Sequence, residues 1–283
     1  MKLAASIVIY HNNIEQLKHI INCFINIPLE TKLYIIDNSS DDSLKILKDI
    51  DKKIEYIFNN KNLGYGKAHN IALRKSIEND VTYHLILNPD ISFNPNEINE
   101  LIDYMDNHHD VGQLMPKVTY PDGQPQYLCK LLPTPYDLIV RRFIPTKKLF
   151  KNSKYELRFF GYNKIINVPF LSGCFMLLRV NALKEVGLFD ERYFMYAEDL
   201  DFSRRMHSKY KTIFYPYITI IHDHARESYK NIKMLRIHIK SIIHYFNKWG
   251  WFFDNERKMN NKKCLKQSRS EVSPSVKTIF KKK

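Results

Sequence analysis

Residues 1–90 alternate between short apolar runs and helical patterns, and this alternation constrains the fold more than any other feature of the chain. The apolar runs are SIVIY, KLYIID, IEYIF and YHLIL. Near-continuous apolar runs are typical of strands covered on both faces. A β-α-β-α-β-α-β order forms a mostly parallel sheet between two layers of helices. The sequence therefore predicts an α/β fold with a mostly parallel central sheet flanked by helices.

Polar residues collect where these predicted strands end. They occupy Tyr10–Asn12, Asp37–Ser39, Asn62–Gly66 and Asn88–Asp90. Ligands of such sheets bind outside the carboxyl ends of the strands, which share one edge. We therefore expect a ligand site along this edge, because a buried core alone does not require these polar residues.

The motif LILNPD places Asp90 just beyond a buried strand. A carboxylate there suits Mg²⁺ or Mn²⁺, because hard cations prefer oxygen ligands and often complete their shell with substrate phosphates. The same motif is also typical of a turn, because Asn-Pro favours turn initiation and Asp is a common turn residue. From the motif alone, both interpretations stay open.

The segment NLGYGKAHN is a glycine turn that opens a helix, so backbone N–H groups at Gly64 and Gly66 could face a phosphate. It is not a dinucleotide-binding fingerprint, because His69 stands where the third glycine is required. A plain strand-to-helix turn explains the two glycines without any ligand.

An acidic cluster stands out in this basic chain, whose formal net charge is +14. Glu198, Asp199 and Asp201 follow an aromatic run in FDERYFMYAEDLDFSRR. Acidic residues in the first turn of a helix interact favourably with its dipole by ~0.3–1 kcal/mol each, and catalysis is the alternative. Further along, IIHDHARES ends a predicted strand with His222 and His224, which are metal or phosphate ligands or simply face solvent.

The C-terminal part of the chain has a different pattern. From Ile232 to Trp249, apolar residues recur at helical spacing among basic residues, so residues 231–254 are predicted to form a basic amphipathic helix. Its apolar stripe either docks onto the rest of the protein or lies in a membrane interface. Residues 255–283 carry ten Lys and Arg against two acids and are predicted to be a disordered tail, suited to an anionic surface or without a partner.

Cysteine usage and hydropathy narrow the class of protein. The four cysteines lie far apart and form no CxxC pair, so neither a zinc site nor a disulfide framework is indicated, and a reducing compartment suits them. The N-terminal apolar run is broken by His11 and is typical of a buried strand rather than a signal peptide. No run of ~18 apolar residues is present, so no transmembrane helix is expected. These features indicate a cytoplasmic protein.

Taken in order, the motifs resemble those of family 2 glycosyltransferases with the GT-A fold, particularly the bacterial rhamnosyltransferase-like branch. The matching segments are VIYHNN, IDNSSDD, NKNLGYGKAHN, LILNPD, LSGCFMLLR, GLFDERYFMYAEDLDFSRR and IIHDHARES, which cover about residues 4–230. The resemblance implies one GT-A domain over 1–230, with a Rossmann-like nucleotide-sugar-binding half at 1–123 and an acceptor-binding, catalytic half at 124–230. The segments 231–254 and 255–283 are then extensions.

The resemblance implies an inverting transfer of a sugar, with rhamnose as the first candidate, to a hydroxyl group of a glycan or lipid-linked acceptor. Asp199 is then the expected general base, with Glu198 beside it, and Asp201 is a helix-turn or supporting carboxylate. The donor would be dTDP-rhamnose or a UDP- or GDP-sugar. Such enzymes serve bacterial cell-surface polysaccharide synthesis, commonly at the cytoplasmic membrane face, which makes peripheral contact through the C-terminal helix and tail attractive.

On the donor side, the resemblance implies a divalent metal, Mg²⁺ or Mn²⁺, bound by Asp90 and His222, with His224 as the alternative to His222. Asn88 replaces the first Asp of the family's DxD-type motif. An amide keeps a carbonyl acceptor but removes one charge, so we expect weaker metal binding. Together with Asn88 and Asp90, the residues expected to bind the nucleotide sugar are Tyr10, His11, Asn12, Asp37, Asn62, Gly64 and Gly66.

Two other classes of protein fit less of the sequence. A nucleotidyltransferase also uses an α/β nucleotide site with a metal-binding Asp, but it would show a Gly-rich basic loop where this chain has YHNNIEQL. A non-enzymatic nucleic-acid binder would explain the basic tail, but it would leave the acidic AEDLD segment and the polar strand ends unexplained. We therefore expect an enzyme without a nucleic-acid partner.

Overall fold

The structure, a computed structural model, describes residues 1–140, 154–223 and 232–270. The strands are β1 (Leu3–Ile9), β2 (Thr31–Asp37), β3 (Ile54–Phe58), β4 (Tyr83–Leu87), β5 (Ile91–Ser92), β6 (Val111–Thr119), β7 (Cys129–Lys130), β8 (Ile166–Asn167), β9 (Phe170–Leu171), β10 (Phe175–Arg179) and β11 (Lys211–His222). The α-helices are α1 (Ile14–Ile25), α2 (Tyr65–Glu78), α3 (Ile98–Asn107), α4 (Val180–Val186), α5 (Glu198–Lys209), α6 (Ile232–Trp249) and α7 (Asn255–Ser270).

The central sheet has the strand order β3-β2-β1-β4-β10-β6-β11-β5, and β8 also pairs with β11. The strands β3, β2, β1 and β4 are parallel to their neighbours. By contrast, β10 is antiparallel to both β4 and β6, whereas β6 and β11 are parallel to each other. The parallel part predicted from residues 1–90 is therefore present, and the strands that follow make the complete sheet mixed.

Successive strand residues face opposite layers of helices. Ile35 lies in a buried cluster with Phe24 of α1, and the next residue, Ile36, lies in another cluster with Ala72 of α2. Because side chains alternate along a strand, both faces of this sheet are covered, which explains the near-continuous apolar strand sequences. The predicted α/β fold with helices on both faces is confirmed.

Helix α6 packs through one face against α5 and the loop that precedes it. Ile242, Tyr245 and Phe246 are buried in a cluster with Tyr193 and Leu200. The docking interpretation of the apolar stripe therefore holds for this part of it. The exposed isoleucines of the same helix are Ile232, Ile239 and Ile243. In the part of the chain that the structure describes, no helix is both long and apolar enough to cross a bilayer.

The prediction that residues 255–283 are disordered is wrong for residues 255–270, which form α7. The residue before this helix, Asp254, accepts two hydrogen bonds of 2.8 Å from the guanidinium of Arg204, and both side chains are buried. A buried, bidentate ion pair fixes the entry to α7 against α5. Residues 271–283 lie outside the described residues.

The body of α7 is also attached to the protein. The side chain of Asn261 accepts a 2.8 Å hydrogen bond from the Leu132 N–H and donates one of 2.9 Å to the Leu132 carbonyl. Cys264 is buried in the main apolar cluster. These few contacts stabilise a helix whose sequence is dominated by basic and polar residues. For that reason, composition alone wrongly predicted disorder for this segment.

Candidate active site

Two strand ends that are remote in sequence meet at the carboxyl edge of the sheet. The short strand β5 pairs with the end of β11, so that Ile91 lies opposite His222. The Asp223 N–H also donates a hydrogen bond of 3.0 Å to the carbonyl oxygen of Asp90. This pairing places Nε2 of His222 3.3 Å from Oδ1 of Asp90. The structure thus brings together the two residues predicted to bind a metal.

Gln126 orients the ring of His222. Nδ1 of His222 lies 2.9 Å from Oε1 of Gln126, whose amide nitrogen donates a 2.7 Å hydrogen bond to the His222 carbonyl oxygen. A carbonyl acceptor at Nδ1 directs the other ring nitrogen towards Asp90, the arrangement typical of metal-binding histidines. Burial lowers the pKa of His222, but Asp90 and Cys174 raise it more, to about 10, so a positive charge is favoured beside Asp90.

These side chains fit a divalent cation. Oδ1 of Asp90 is buried and faces Nε2 of His222 at 3.3 Å, carboxylate oxygen suits Mg²⁺ and Mn²⁺, and imidazole is a common metal ligand. Among the described residues, no group of three or more His, Cys, Asp and Glu side chains is placed to hold a metal, so further ligands would come from substrate phosphate or water. The alternative ligand, His224, lies outside the described residues.

Tyr65 and Gly173 connect the side of the site that contains Asn88 and Asp90 to the acidic cluster. The Tyr65 hydroxyl lies 2.7 Å from the Gly173 carbonyl oxygen and 3.2 Å from Oδ1 of Asn88. The N–H of the same Gly173 donates a hydrogen bond of 2.9 Å to Oδ2 of Asp199. One tyrosine and one glycine therefore span the distance between Asn88 and Asp199.

The charges that act on Tyr65 also indicate that Asp90 and the acidic cluster lie close together. Burial raises the pKa of Tyr65 well above its ordinary value, and the negative charges of Glu198, Asp199 and Asp90 raise it further. A charge shifts a pKa strongly only at short range inside a protein. Since carboxylates of both groups act on one phenol, the acidic cluster and Asp90 lie near the same tyrosine.

Glu198 and Asp199 begin α5 and differ in their environment. Burial raises the pKa of Glu198 well above its ordinary value, and the charge of Asp199 raises it further. Burial also raises the pKa of Asp199, but hydrogen bonds from backbone N–H groups and the charge of Lys130 oppose that rise. The negative charge of the pair is therefore favoured on Asp199.

The backbone just before α5 is held in an unusual conformation. Tyr196 and Ala197 have φ angles of 68° and 62°, and such left-handed residues other than glycine each cost ~1–3 kcal/mol. The surrounding structure maintains this turn, since the Ser241 hydroxyl of α6 donates a 2.8 Å hydrogen bond to the Met195 carbonyl. Helix α6 therefore helps to position the start of the helix that carries Asp199.

Gly64 and Gly66, predicted to face a phosphate, also have a packing role. Gly64 has a φ of 82°, and a Cβ there would collide with the Phe194 carbonyl oxygen. At Gly66, a Cβ would lie 2.8 Å from Cβ of Phe189 and 3.5 Å from Cβ of Glu198. The glycines let α2 approach the loop that precedes the acidic cluster, and their contact with a phosphate stays a prediction.

Asp37 organises the end of β2 from a buried position. Its two oxygens accept hydrogen bonds from the Ser39 N–H at 2.8 Å and from the Tyr56 hydroxyl at 2.5 Å. The Ser39 hydroxyl in turn accepts a 2.9 Å hydrogen bond from the N–H of His11. These bonds join the loops after β1 and β2 along one edge, as predicted.

The remaining predicted nucleotide residues border the same edge. Oδ1 of Asn62 accepts a 2.9 Å hydrogen bond from the N–H of Gly64, and Asn38 donates one of 3.2 Å to the Gly64 carbonyl. Oδ1 of Asn12 accepts a 2.8 Å hydrogen bond from the N–H of Tyr10, whose residue is 53% exposed. An exposed ring at this edge is available to a planar base, and nucleotide binding by these residues stays a prediction.

A cavity of about 380 Å³ opens beside Asp199. Its described walls come from β7, β9, the start of α5, the helix α6 and residues 137–138 and 155–156. The lining residues are Lys130, Asp137, Leu138, Tyr155, Glu156, Phe170, Tyr196, Ala197, Glu198, Asp199, Leu200, His238 and Ile242.

Sequence reasoning missed several residues of this site. Tyr65 stands inside a glycine motif that drew attention to its glycines, and Gln126 and Lys130 lie in a stretch without a recognisable pattern. Gly173 was visible only as part of a strand motif. Each acts through a contact between segments far apart in the chain, and no local pattern signals such contacts.

Comparison with known proteins shows the family of this chain. The family described as glycosyl transferase family 2 matches residues 6–187. The N-acetylglucosaminyl-diphospho-decaprenol L-rhamnosyltransferase of Mycobacterium tuberculosis is 29% identical over 180 residues, which are 59% of this chain and 58% of that protein. The chain thus spans less than two thirds of that relative. Rhamnosyltransferase WbbL of Escherichia coli K12 is 26% identical over 247 residues, 84% of this chain and 90% of WbbL.

The fold also agrees with that of a solved structure. GalNAc-T7, crystallised with UDP, GalNAc and Mn²⁺, superposes with a TM-score of 0.62 at 13% identity. The superposition covers 99% of this chain and 58% of that one. This chain and GalNAc-T7 thus have the same kind of fold.

Proposed function

The chain belongs to glycosyl transferase family 2, and from this membership we propose that it is an inverting enzyme that transfers a sugar from a nucleotide sugar to a hydroxyl group of a lipid-linked glycan. One observation carries the proposal: Tyr65 and Gly173 connect Asn88, on the Asp90 side, with Asp199 through hydrogen bonds of 3.2, 2.7 and 2.9 Å. A cleft with a phosphate-side carboxylate on one wall and a base on the other suits an in-line displacement.

On the donor side, Asp90 and His222 would hold the divalent cation against the diphosphate of the nucleotide sugar. A bound Mg²⁺ or Mn²⁺ neutralises the negative charge that grows on a departing diphosphate. Gln126 keeps the His222 ring in place for this task. The strand-end residues from Tyr10 to Gly66 would bind the nucleotide.

On the acceptor side, Asp199 acts as the general base. Its carboxylate takes the proton of the acceptor hydroxyl as that oxygen bonds to the anomeric carbon, while the bond from this carbon to the diphosphate oxygen breaks on the opposite face. Attack from the opposite face inverts the configuration. A base placed in this way contributes ~10²–10⁴-fold to the rate, and the Gly173 N–H keeps Oδ2 of Asp199 in position.

The names of two relatives suggest the substrates. Both are rhamnosyltransferases, and the mycobacterial name specifies an N-acetylglucosaminyl-diphospho-decaprenol acceptor. We therefore take dTDP-rhamnose as the first candidate donor, with UDP- and GDP-sugars as alternatives. The proposed acceptor is a sugar linked through diphosphate to a polyprenol, in the synthesis of a cell-surface polysaccharide.

Contact with the cytoplasmic membrane face is part of the proposal. Ile232, Ile239 and Ile243 are exposed on α6, and Phe252 and Phe253, in the turn after it, are 74% and 91% exposed. Basic residues on exposed positions of α6 accompany them, namely Lys233, Arg236 and Lys240. Apolar side chains that insert and cations that meet anionic headgroups are the two components of interfacial binding.

Membrane contact is tested by flotation with liposomes that contain anionic lipid. We expect the full chain to float with the liposomes, and the variant with Ile239, Ile243, Phe252 and Phe253 changed to Ser to stay in the dense fraction. Equal flotation of both proteins would reject this role for the exposed apolar residues.

Activity is tested with a panel of nucleotide sugars in the presence of Mg²⁺ or Mn²⁺ and a diphospho-polyprenol-linked sugar. We expect release of a nucleoside diphosphate from one donor, in step with lengthening of the acceptor. Release of pyrophosphate from a nucleoside triphosphate and a sugar phosphate would instead identify a nucleotidyltransferase, and turnover of neither kind would reject the proposal.

A further inference from the structure

Lys130 is the single lysine or arginine among the described residues that line the cavity beside Asp199. The same cavity contains four acidic side chains, Asp137, Glu156, Glu198 and Asp199. An uncharged sugar requires no cation in such a cavity, whereas an anionic acceptor requires one to offset the repulsion by its acidic walls. The lone lysine therefore requires an explanation in terms of the ligand that the cavity binds.

The backbone around Lys130 is firmly held. In the two-stranded ribbon of β7 and β9, Lys130 lies opposite Phe170, and its Nζ is 5.3 Å from the centre of the Phe170 ring. On one side, the Tyr162 hydroxyl bonds to the N–H and the carbonyl of Cys129 at 3.1 and 3.0 Å. On the other side, the Leu131 N–H donates a 2.9 Å hydrogen bond to the Tyr155 carbonyl. The lysine therefore extends from a fixed point of the cavity wall.

The ribbon also relates Lys130 to the base. Strand β9 leads within two residues to Gly173, which donates the hydrogen bond to Asp199. The charge of Lys130 lowers the pKa of Asp199, which shows that the two groups are close. Within the described part of the chain, the contact of the Lys130 ammonium group is with the Phe170 ring, and the lysine lines the cavity.

We propose that Lys130 binds the phosphate group that joins the acceptor sugar to its lipid. This proposal rests on the proposed function. A sugar whose hydroxyl faces Asp199 has its anomeric oxygen across the ring, and the cavity of about 380 Å³ has room for one such ring. Lysine binds phosphate as a compact point charge with strong, charge-assisted hydrogen bonds. Lys130 then selects acceptors with an anomeric phosphate over neutral glycosides.

The experiment compares two acceptors that share one sugar. The first is N-acetylglucosaminyl-diphospho-polyprenol with a short polyprenol, and the second is an alkyl N-acetylglucosaminide of similar chain length without phosphate. Lys130→Met is measured beside Lys130→Arg, which keeps the charge. The control is Lys209→Met, since Lys209 lies at the end of α5 and pairs with Glu185 outside the cavity. Thermal melting confirms that each variant folds.

For Lys130→Met we expect the KM of the diphosphate acceptor to rise about tenfold or more, as befits the loss of a hydrogen bond between charged groups. The KM of the alkyl glycoside and of the nucleotide sugar should change less than about twofold. Lys130→Arg should retain most of the preference for the diphosphate acceptor over the alkyl glycoside, and Lys209→Met should behave like the wild type.

Three results would overturn the proposal. An equal loss of activity on both acceptors would show that Lys130 does not recognise phosphate. A loss of activity that is fully recovered at higher pH would show that Lys130 acts only by lowering the pKa of Asp199. A raised KM of the nucleotide sugar would assign Lys130 to the donor. If the wild type transfers sugar to neither acceptor, the proposed function itself fails, and the role of Lys130 fails with it.

Discussion

The backbone N–H of Gly173 donates a hydrogen bond of 2.9 Å to Oδ2 of Asp199. The carbonyl oxygen of the same residue lies 2.7 Å from the hydroxyl of Tyr65, which also reaches Asn88. Gly173 thus sets the position of the proposed base relative to the donor side. The carboxylates of Asp90 and Asp199, separated by more than a hundred positions in sequence, both act on the Tyr65 phenol.

Changing Gly173 to Ala should lower kcat by about 10–100-fold and leave the KM of the nucleotide sugar unchanged. The added Cβ would lie 3.1 Å from Cβ of Asp199 and 3.4 Å from its Oδ2, so Asp199 must shift by a few tenths of an ångström. A displacement of about an ångström in a reacting group can cost about a hundredfold in rate. Steady-state kinetics measure the effect, with Tyr65→Phe measured beside it to separate loss of the Tyr65 hydroxyl from displacement of Asp199. A wild-type kcat in Gly173→Ala would contradict the account.

The rate should fall on acidification at a higher pH than an ordinary aspartate would require. Burial raises the pKa of Asp199 above its usual value of 3.8. The base works only when it is unprotonated, so activity is present above the raised pKa and is lost as the pH falls through it. The acidic limb of kcat/KM reports this pKa for the free enzyme. A limb at or below pH 3.8 would show that Asp199 does not limit the reaction.

Changing Gln126 to Leu should weaken metal activation without removing a ligand. Gln126 holds the His222 ring through hydrogen bonds of 2.9 and 2.7 Å. Loss of such an outer partner typically costs ~10–100-fold in metal affinity. A titration of activity with Mn²⁺ should therefore shift to higher concentration and reach a similar plateau, whereas Asp90→Asn should also lower the plateau. An unshifted curve for Gln126→Leu would argue against His222 as a ligand.

Changing Asp254 to Asn should lower the free energy of unfolding by about 3 kcal/mol, because it removes the buried, bidentate partner of Arg204 and leaves only the partly exposed Glu256 at 3.1 Å. The matched control is Asp110→Asn, which removes an exposed ion pair with Lys211 and should cost less than about 1 kcal/mol. Urea unfolding measures both variants. Similar losses in the two would mean that the Arg204–Asp254 pair does not anchor α7.

The sequence was most informative where a pattern is local. Strand runs with polar ends predicted the sheet and its ligand-binding edge, because the period of a strand and the direction of parallel pairing follow from short segments. Asp90 and Asp199 were identified through motifs that resemble a family. Their common cleft was a prediction that only the pairing of β5 with β11 and the bonds of Gly173 support.

The sequence was least informative where a single distant contact decides the structure. Residues 255–270 have a basic, polar composition typical of a tail, yet the pair of Arg204 and Asp254 and the bonds of Asn261 hold them as a helix. Lys130 likewise stands in a stretch without a motif. The composition of a segment does not show which of its residues contact distant parts of the chain.

Asp199→Asn tests the central claim most directly, since the amide keeps an oxygen for the Gly173 N–H and removes the base. The measurement is kcat with the lipid-linked acceptor, together with the affinity for the nucleotide sugar by calorimetry. We expect kcat to fall by ~10²–10⁴-fold while donor affinity stays within about twofold of the wild type. A variant with near-normal kcat would contradict the claim that Asp199 accepts the proton of the acceptor hydroxyl.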